Sequence, residues 1–170
     1  GDGGCDEGPG YWGVAGGALY EYLELLKMAS GRELDLFNQG IIRNIGTYIC
    51  KANVAYPWVL NFADASPKTG GAPGIVYRYG KAIGNEEMIA YGAFLARMKG
   101  EEMARQGRGL LSTLINLQLY PVIMETEGKE PLYADFYLPE LQQAGARDRE
   151  GSREGFYFGA KGGNNGENHN

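Results

Sequence analysis

The sequence predicts an α+β fold in which antiparallel helices come first and antiparallel strands follow. Apolar residues recur at helical spacing through most of the chain before Pro121. After Pro121 the period changes, and stretches within 135–160 alternate as strands do. These two observations predict a boundary near residue 130, with a helical domain over 1–128 and a sheet-containing domain over 129–170.

Apolar stripes define the helices of the first domain, and Asn85 before Glu86 is a favourable N-cap. The run Pro57–Ala65 is apolar and extended, and Ser66–Gly74 is a loop rich in glycine and proline. The predicted helices are Tyr11–Ala29 with Gly31 as its C-cap, about Gly40–Asn53, Ile75–Ile83, Glu86–Met98 and Glu101–Leu119.

Two strands are predicted in the second domain, at Asp135–Arg147 and Gly155–Ala160. The charged run Arg147–Glu154 between them is interpreted as a hairpin connection. A group of basic residues near the last helices is interpreted as a solvated face. These residues are Arg97, Lys99, Arg105 and Arg108.

The composition is that of a chain able to bury a core, with 170 residues of which 44% are hydrophobic. Its formal net charge of −5 argues against nucleic acid as a partner, because such proteins normally present a basic face. No apolar run reaches membrane-spanning length, so no membrane partner is expected. Cys5 and Cys50 are too few for a disulfide scaffold and are expected to be free thiols.

The chain begins with Gly1 and ends with Asn170 inside a polar run. We expect it to be an internal segment of a longer protein. Periplasmic and cytoplasmic locations therefore both stay open, and the sequence gives no indication of oligomeric state. A single histidine leaves no Cys/His set with zinc spacing, so no metal site is predicted within the segment.

The first twelve residues combine acids, a thiol, a phenol and an indole. Gly8-Pro9-Gly10 marks the start of the first helix. Asp6 and Glu7 precede it, where the positive end of the helix dipole favours negative charge. Tyr11 and Trp12 fall in the first turn, where their polar tips can reach a cleft. The cluster is consistent with a capped helix start and with a functional site.

Three polar segments occur in a fixed order around the change from helices to strands. They read Asp2-Gly-x-x-x-Glu-Gly-Pro-x-Tyr-Trp12, Asn61-Phe-Ala-Asp-Ala65 and Lys161-Gly-Gly-Asn-Asn-Gly-Glu-Asn-His-Asn170. Together they resemble the heparinase II/III-like polysaccharide lyases, over essentially the whole chain. The resemblance implies the C-terminal helices of an incomplete (α/α) toroid followed by the first antiparallel strands of a β-sandwich.

The activity that the resemblance implies is β-elimination on an acidic polysaccharide that contains uronate. Tyr11 matches the catalytic tyrosine, which acts as the acid and in some members also as the base, and His169 matches a histidine that serves as the base or as its helper. Glu7 matches a glutamate that orients its neighbours or contacts sugar. A tyrosine needs cationic or hydrogen-bonding neighbours to work near neutral pH, because its ordinary pKa is about 10.

The same resemblance implies a set of substrate-binding residues. Trp12 suits a sugar face, as does Trp58, although a place in the core is an equally good interpretation of both indoles. The remaining candidates are polar: Asn61, Asp64, Asn164 and Asn165. Heparan-, chondroitin-, alginate- and ulvan-type chains all fit this pattern.

The resemblance also implies parts outside this sequence. The residue that neutralises the uronate carboxylate is expected upstream of Gly1. No cofactor is expected within the segment, and a longer protein is expected to hold a divalent metal, zinc or calcium, through residues beyond Asn170. We therefore expect the segment by itself to be inactive.

Two other functions fit the same residues. A glycoside hydrolase needs two opposed carboxylates about 5–9 Å apart, and Asp6 or Glu7 with Asp64 are the candidates. A non-catalytic glycan-binding protein that kept the fold is the other alternative.

Overall fold

The computed structural model describes residues 1–68, 71–105 and 109–163, without the side chains of 104 and 105. The described chain contains helices and two small antiparallel sheets, which confirms the α+β class. The helices are α1 (Pro9–Ala29), α2 (Gly40–Lys51), α3 (Pro73–Ile83), α4 (Glu86–Lys99), α5 (Glu102–Arg105) and α6 (Leu110–Glu125). The strands are β1 (Asn53–Ala55), β2 (Trp58–Val59), β3 (Asp135–Leu138), β4 (Gln143–Arg147) and β5 (Tyr157–Lys161).

The chain forms two compact units. The first comprises the described parts of Gly1–Gly70 and Pro131–Asn170, and the second is Gly71–Glu130. The first unit is thus built from two stretches that are separate in sequence. The predicted division at 128/129 into a helical and a sheet-containing domain stays a prediction.

Helix α1 begins at Pro9, two residues before the predicted start at Tyr11. Gly8 is the N-cap with φ 87° and ψ −179°, a backbone conformation that is essentially restricted to glycine. Pro9 follows at the first helical position, where its missing N–H costs nothing. The helix ends at Ala29 with Ser30 as its C-cap, one residue before the predicted Gly31.

The larger sheet has the strand order β3-β4-β5, with both pairs antiparallel. The prediction of one strand over Asp135–Arg147 is wrong, because this run is a hairpin formed by β3 and β4. Pro139 lacks an amide N–H for a ladder and Gln142 has φ 53°, so the chain turns between the two strands. Phe136 lies opposite Gly145 in the register.

The charged connection between β4 and β5 is confirmed, and Arg147 organises it. Its guanidinium donates to the carbonyl oxygens of Tyr133 at 3.3 Å, Ser152 at 2.7 Å and Val54. It also lies over the ring of Tyr157, 5.1 Å from the centroid. One side chain therefore links β1, the start of the sheet and the connection after β4.

In the second unit, α3 and α4 approach closely because glycines face each other's backbone. A Cβ on Gly92 would lie 2.7 Å from the amide nitrogen of Tyr77, and one on Gly80 would lie 2.9 Å from that of Ile89. The Asn85 side chain accepts from the Met88 amide at 2.7 Å, which confirms it as the N-cap of α4. The core cluster of this unit is Tyr77, Ile89, Ala93, Ala96, Met103 and Ile123.

Helix α6 continues through Pro121 to Glu125, beyond the predicted end at Leu119. Proline removes one intrahelical hydrogen bond. Ile123 lies in the second turn after Leu119 and is completely buried in the core cluster. Burial of Ile123 therefore outweighs the local preference to stop at the proline.

Arg97 does not belong to a solvated face, so that interpretation is wrong for it. Its guanidinium donates to the carbonyl oxygens of Ala93 at 3.1 Å, Met124 at 2.9 Å and Thr126. The last carbonyls of a helix lack intrahelical partners. Arg97 supplies donors to this end of α6, where positive charge is also favourable.

Lys99 is likewise half-buried, and its ammonium donates to the Gly71 carbonyl at 3.2 Å. Burial lowers the pKa of Lys99, and the nearby carboxylate of Glu102 acts in the opposite direction. The side chain of Arg105 and all of Arg108 lie outside the described residues, so the interpretation of these two stays a prediction.

Candidate functional site

Two of the three polar segments contact each other at the start of α1. A Cβ on Gly8 would lie 2.5 Å from the Cβ of Ala65 and 3.0 Å from the carbonyl oxygen of Phe62. The Gly8 amide donates to the Cys5 carbonyl at 2.9 Å, which closes the turn before the helix. The 61–65 loop therefore packs directly on the backbone that opens α1, and only glycine leaves room for it.

The third polar segment begins at Lys161, next to the contact between Gly8 and the 61–65 loop. A shallow hollow beside the Gly8 contact is bordered by Lys161, which ends β5 and opens the last polar segment. The start of α1, the 61–65 loop and the end of β5 are thus brought together within the first unit. The residues that line the hollow are Cys5, Asp6, Gly8, Tyr48, Leu60, Phe62, Leu141, Gln143 and Lys161.

Tyr48 and Cys5 border the hollow without being reactive. The Tyr48 hydroxyl donates to the Cys5 carbonyl at 3.4 Å. Burial raises the pKa of Tyr48, and the groups of Cys5, Asp6 and Asp2 add to the effect. Burial also raises the pKa of the Cys5 thiol. Both groups therefore stay protonated near neutral pH, so neither is a general base or a nucleophile there.

Asp2 holds the N-terminal segment against the β3–β4 turn. Its carboxylate accepts the amides of Gly4 at 2.9 Å, Glu140 at 2.7 Å and Leu141 at 3.0 Å. Partial burial raises the pKa of Asp2, but these backbone donors outweigh it and the pKa is lowered overall. The aspartate of the first segment is therefore a positioning group for the backbone beside the hollow.

Tyr11 lies in the first turn of α1 and is 43% exposed. Glu7 is exposed in the turn before the helix. Within the described part of the chain, neither side chain forms a hydrogen bond or an ion pair, and neither lines the hollow itself. Both are therefore open to a ligand at the helix start.

Trp12 is a core residue, which corrects the interpretation of its indole as a sugar platform. It is 2% exposed, and its ring N–H donates to the Ile45 carbonyl of α2 at 2.6 Å. A sugar needs an open ring face to stack on, and Trp12 has none. Its role is to pack α1 on α2, with its polar atom satisfied.

The loop after β2 carries the other described candidates. Asn61 and Asp64 are both exposed, while Leu60 and Ala65 at the two ends are buried. Ala63 has φ 58°, which turns the chain between them. Trp58, at the start of the loop, is 49% exposed. The loop thus presents polar groups outward from a buried base.

His169, Asn164 and Asn165 lie outside the described residues. Whether the imidazole and the two amides join the other groups therefore stays a prediction.

Two residues beside the hollow, Tyr48 and Gln143, were not predicted from the sequence. Tyr48 lies on the apolar stripe of α2, so the sequence predicts that its ring is in the core and gives no sign that its hydroxyl lies beside the hollow. Gln143 is 2% exposed in β4, and a buried amide in a strand is unusual. The only local signal for Gln143 was Pro139 four residues earlier, which marks a turn before β4; that Gln143 lies opposite Lys161 is visible only in the structure.

Among the described residues, no three His, Cys, Asp or Glu side chains come close enough together to bind a metal ion. The two cysteines are both free thiols, as predicted. In the same part of the chain, no helix has both the length and the apolar character needed to cross a membrane. No family model matches the chain, and no curated protein matches it.

Proposed function

We propose that this chain is part of a heparinase II/III-like polysaccharide lyase, a carbon–oxygen lyase that cleaves uronate-containing polysaccharides by β-elimination. In this proposal its helices belong to an (α/α) toroid and its C-terminal strands to a β-sandwich. The protein acts as part of a longer chain, and the segment alone is inactive. No step of the proposed reaction requires a cofactor bound by the segment.

One observation carries the proposal: segments far apart in sequence meet at the start of α1. Gly8 contacts Ala65, and Lys161 borders the hollow that Gly8 also lines. These residues belong to the three segments on which the resemblance depends. The resemblance requires these segments to share one site, so the contacts that involve the described part of the third segment, residues 161–163, support the proposal.

The proposed chemistry begins with a uronate held beside Tyr11. A base, Tyr11 or His169, removes the proton from C5, and the glycosidic C4–O bond breaks as the C4–C5 double bond forms. Tyr11 gives its proton to the departing oxygen. Exposure of Tyr11 in the first helical turn is consistent with this role, because the hydroxyl must reach the substrate. Glu7, one turn earlier, orients the sugar or its neighbours.

The test is a lyase assay on the longer protein that carries this chain. It is incubated with heparan sulfate, chondroitin sulfate, alginate and ulvan, and the ultraviolet absorbance of the unsaturated uronate is followed. Tyr11→Phe is expected to reduce kcat by at least about a hundredfold, the lower end for general acid–base catalysis. Binding of the same substrate is expected to persist.

Tyr22→Phe is the matched control, because Tyr22 is an exposed tyrosine on the same helix at 62% exposure. It is expected to leave turnover unchanged. A new reducing end without a double bond would instead identify a hydrolase, with Asp6, Glu7 and Asp64 as its candidate acids. Binding without any product would identify a glycan-binding protein. Either result, or full activity of Tyr11→Phe, contradicts the proposal.

A further inference from the structure

The base of the 58–68 loop is fixed by backbone hydrogen bonds. Trp58 and Lys68 form an antiparallel bridge, and the Val59 amide donates to the Pro67 carbonyl at 3.0 Å. The Leu60 amide donates to the Ala52 carbonyl at 2.9 Å. Trp58 and Lys68 therefore face each other at the two ends of a loop whose inner residues pack on Gly8.

The side chains of this pair are stacked and open to solvent. The Lys68 ammonium lies 4.6 Å from the centroid of the Trp58 ring. Both side chains are exposed, and within the described chain Lys68 forms no ion pair. The loop base thus presents an unneutralised cation on an aromatic surface.

This combination has the two parts that an acidic sugar requires. The apolar C–H face of a pyranose packs on an exposed indole, and an ammonium beside the ring attracts a carboxylate or a sulfate. The protein carries a formal net charge of −5, which disfavours an anionic polymer at long range. A local cation is therefore needed wherever such a polymer is held.

We propose that Trp58 and Lys68 form a subsite for an acidic pyranose, which packs against the exposed part of the indole beside Lys68 and pairs its anionic group with the ammonium. This proposal rests on the proposed function, because it assigns the pair to the sugar chain that Tyr11 cleaves. The anionic group is a carboxylate or a sulfate, and these share the same recognition chemistry. Trp58 and Lys68 act in binding and touch no reacting atom.

The test measures oligosaccharide binding by calorimetry on the longer protein carrying Tyr11→Phe, so that no turnover intervenes. The probes are oligomers of alginate, which bears only carboxylates, of chondroitin sulfate, which bears both anions, and of neutral cellulose. Trp58→Ala is expected to lower the affinity for the acidic probes at least about tenfold. Lys68→Ala is expected to lower the affinity for the acidic probes and leave the affinity for cellulose oligomers unchanged. Lys68→Arg, which keeps the positive charge, is expected to retain the affinity for the acidic probes.

Lys81→Ala is the matched control, because the Lys81 ammonium also lies over a ring, 5.7 Å from the centroid of Tyr77. That ring is buried, so it offers a sugar no surface. Thermal unfolding of each variant establishes that it is folded. A greater loss for chondroitin sulfate than for alginate assigns the ammonium to sulfate, and the reverse assigns it to carboxylate.

Unchanged affinity in both Trp58→Ala and Lys68→Ala overturns the subsite, even if the wild-type protein is a lyase. Equal weakening of neutral and acidic probes by Lys68→Ala also overturns it. Conversely, a protein without turnover on any polysaccharide, whose binding of acidic probes depends on both residues, refutes the lyase proposal and retains the subsite. The two proposals therefore fail independently.

Discussion

Replacing Gly8 with alanine tests the contact on which the candidate site depends. Gly8 has φ 87° and ψ −179°, and a non-glycine residue in this region costs about 1–3 kcal/mol. The new Cβ would also lie 2.5 Å from the Ala65 Cβ, and relieving such overpacking costs about 1–3 kcal/mol. The two terms predict that the free energy of unfolding falls by about 2–6 kcal/mol.

Gly10→Ala is the matched control two residues along the chain. A Cβ at Gly10 meets no atom within 4 Å, and the residue is already inside α1. Alanine there is expected to leave the free energy of unfolding unchanged or to raise it by up to about 1 kcal/mol. Urea denaturation of the two variants and the wild type, with equal m-values, gives the comparison.

A double variant separates the two contributions to the Gly8→Ala effect. Adding Ala65→Gly removes the atom that the new Cβ would strike, but leaves the backbone strain. The steric part is expected to be recovered, so the two substitutions together cost less than the sum of their separate effects. If the free energy of unfolding of Gly8→Ala lies within about 0.5 kcal/mol of the wild-type value, the tight contact at the helix start does not exist as described.

Four further predictions concern the same unit. Trp12→Phe is expected to lower the free energy of unfolding by about 1–3 kcal/mol in urea denaturation, because the Ile45 carbonyl loses its indole donor; an unchanged value contradicts the core assignment. Asp2→Asn is expected to lower the free energy of unfolding at pH 7 by about 1 kcal/mol in urea denaturation, a value that allows for solvent screening of the carboxylate. Because the pKa of Asp2 is lowered in the folded state, its carboxylate stabilises the fold only while ionised. The difference in free energy of unfolding between the wild type and Asp2→Asn should therefore shrink as the pH falls below about 4. A difference that persists at lower pH contradicts stabilisation by the ionised carboxylate. Tyr157→Phe is expected to be neutral or slightly stabilising in thermal unfolding, since among the described atoms its buried hydroxyl has no hydrogen-bond partner; a loss above about 1 kcal/mol would reveal one. Burial raises the pKa of Tyr157 to about 12, so its phenol should be among the last to ionise in a spectroscopic titration.

Local signals in the sequence correctly marked the capping residues of α1 and α4. Pro9 and Asn85 act through their own backbone and the next turn, so their roles follow from neighbours a few residues away. The turn in the predicted long strand was also local, because Pro139 cannot donate to a ladder. Its presence within Asp135–Arg147 should have divided that run into two strands.

Long-range contacts account for what the sequence did not predict. Burial of Trp12 depends on Ile45, which lies on another helix, and no local pattern distinguishes a core indole from an exposed one. Arg97 resembled a surface charge because its carbonyl partners at the end of α6 are remote in sequence. The polar segments were visible individually, but their convergence at Gly8 depends on tertiary packing.

The discontinuous first unit has a consequence for biosynthesis. Cys5 and Lys161, which are far apart in sequence, border one hollow. During synthesis the residues around Cys5 emerge before β5, so the turn that opens α1 forms without the strand that later borders the hollow. A product that ends before residue 157 lacks β5, and with it the border that Lys161 gives the hollow.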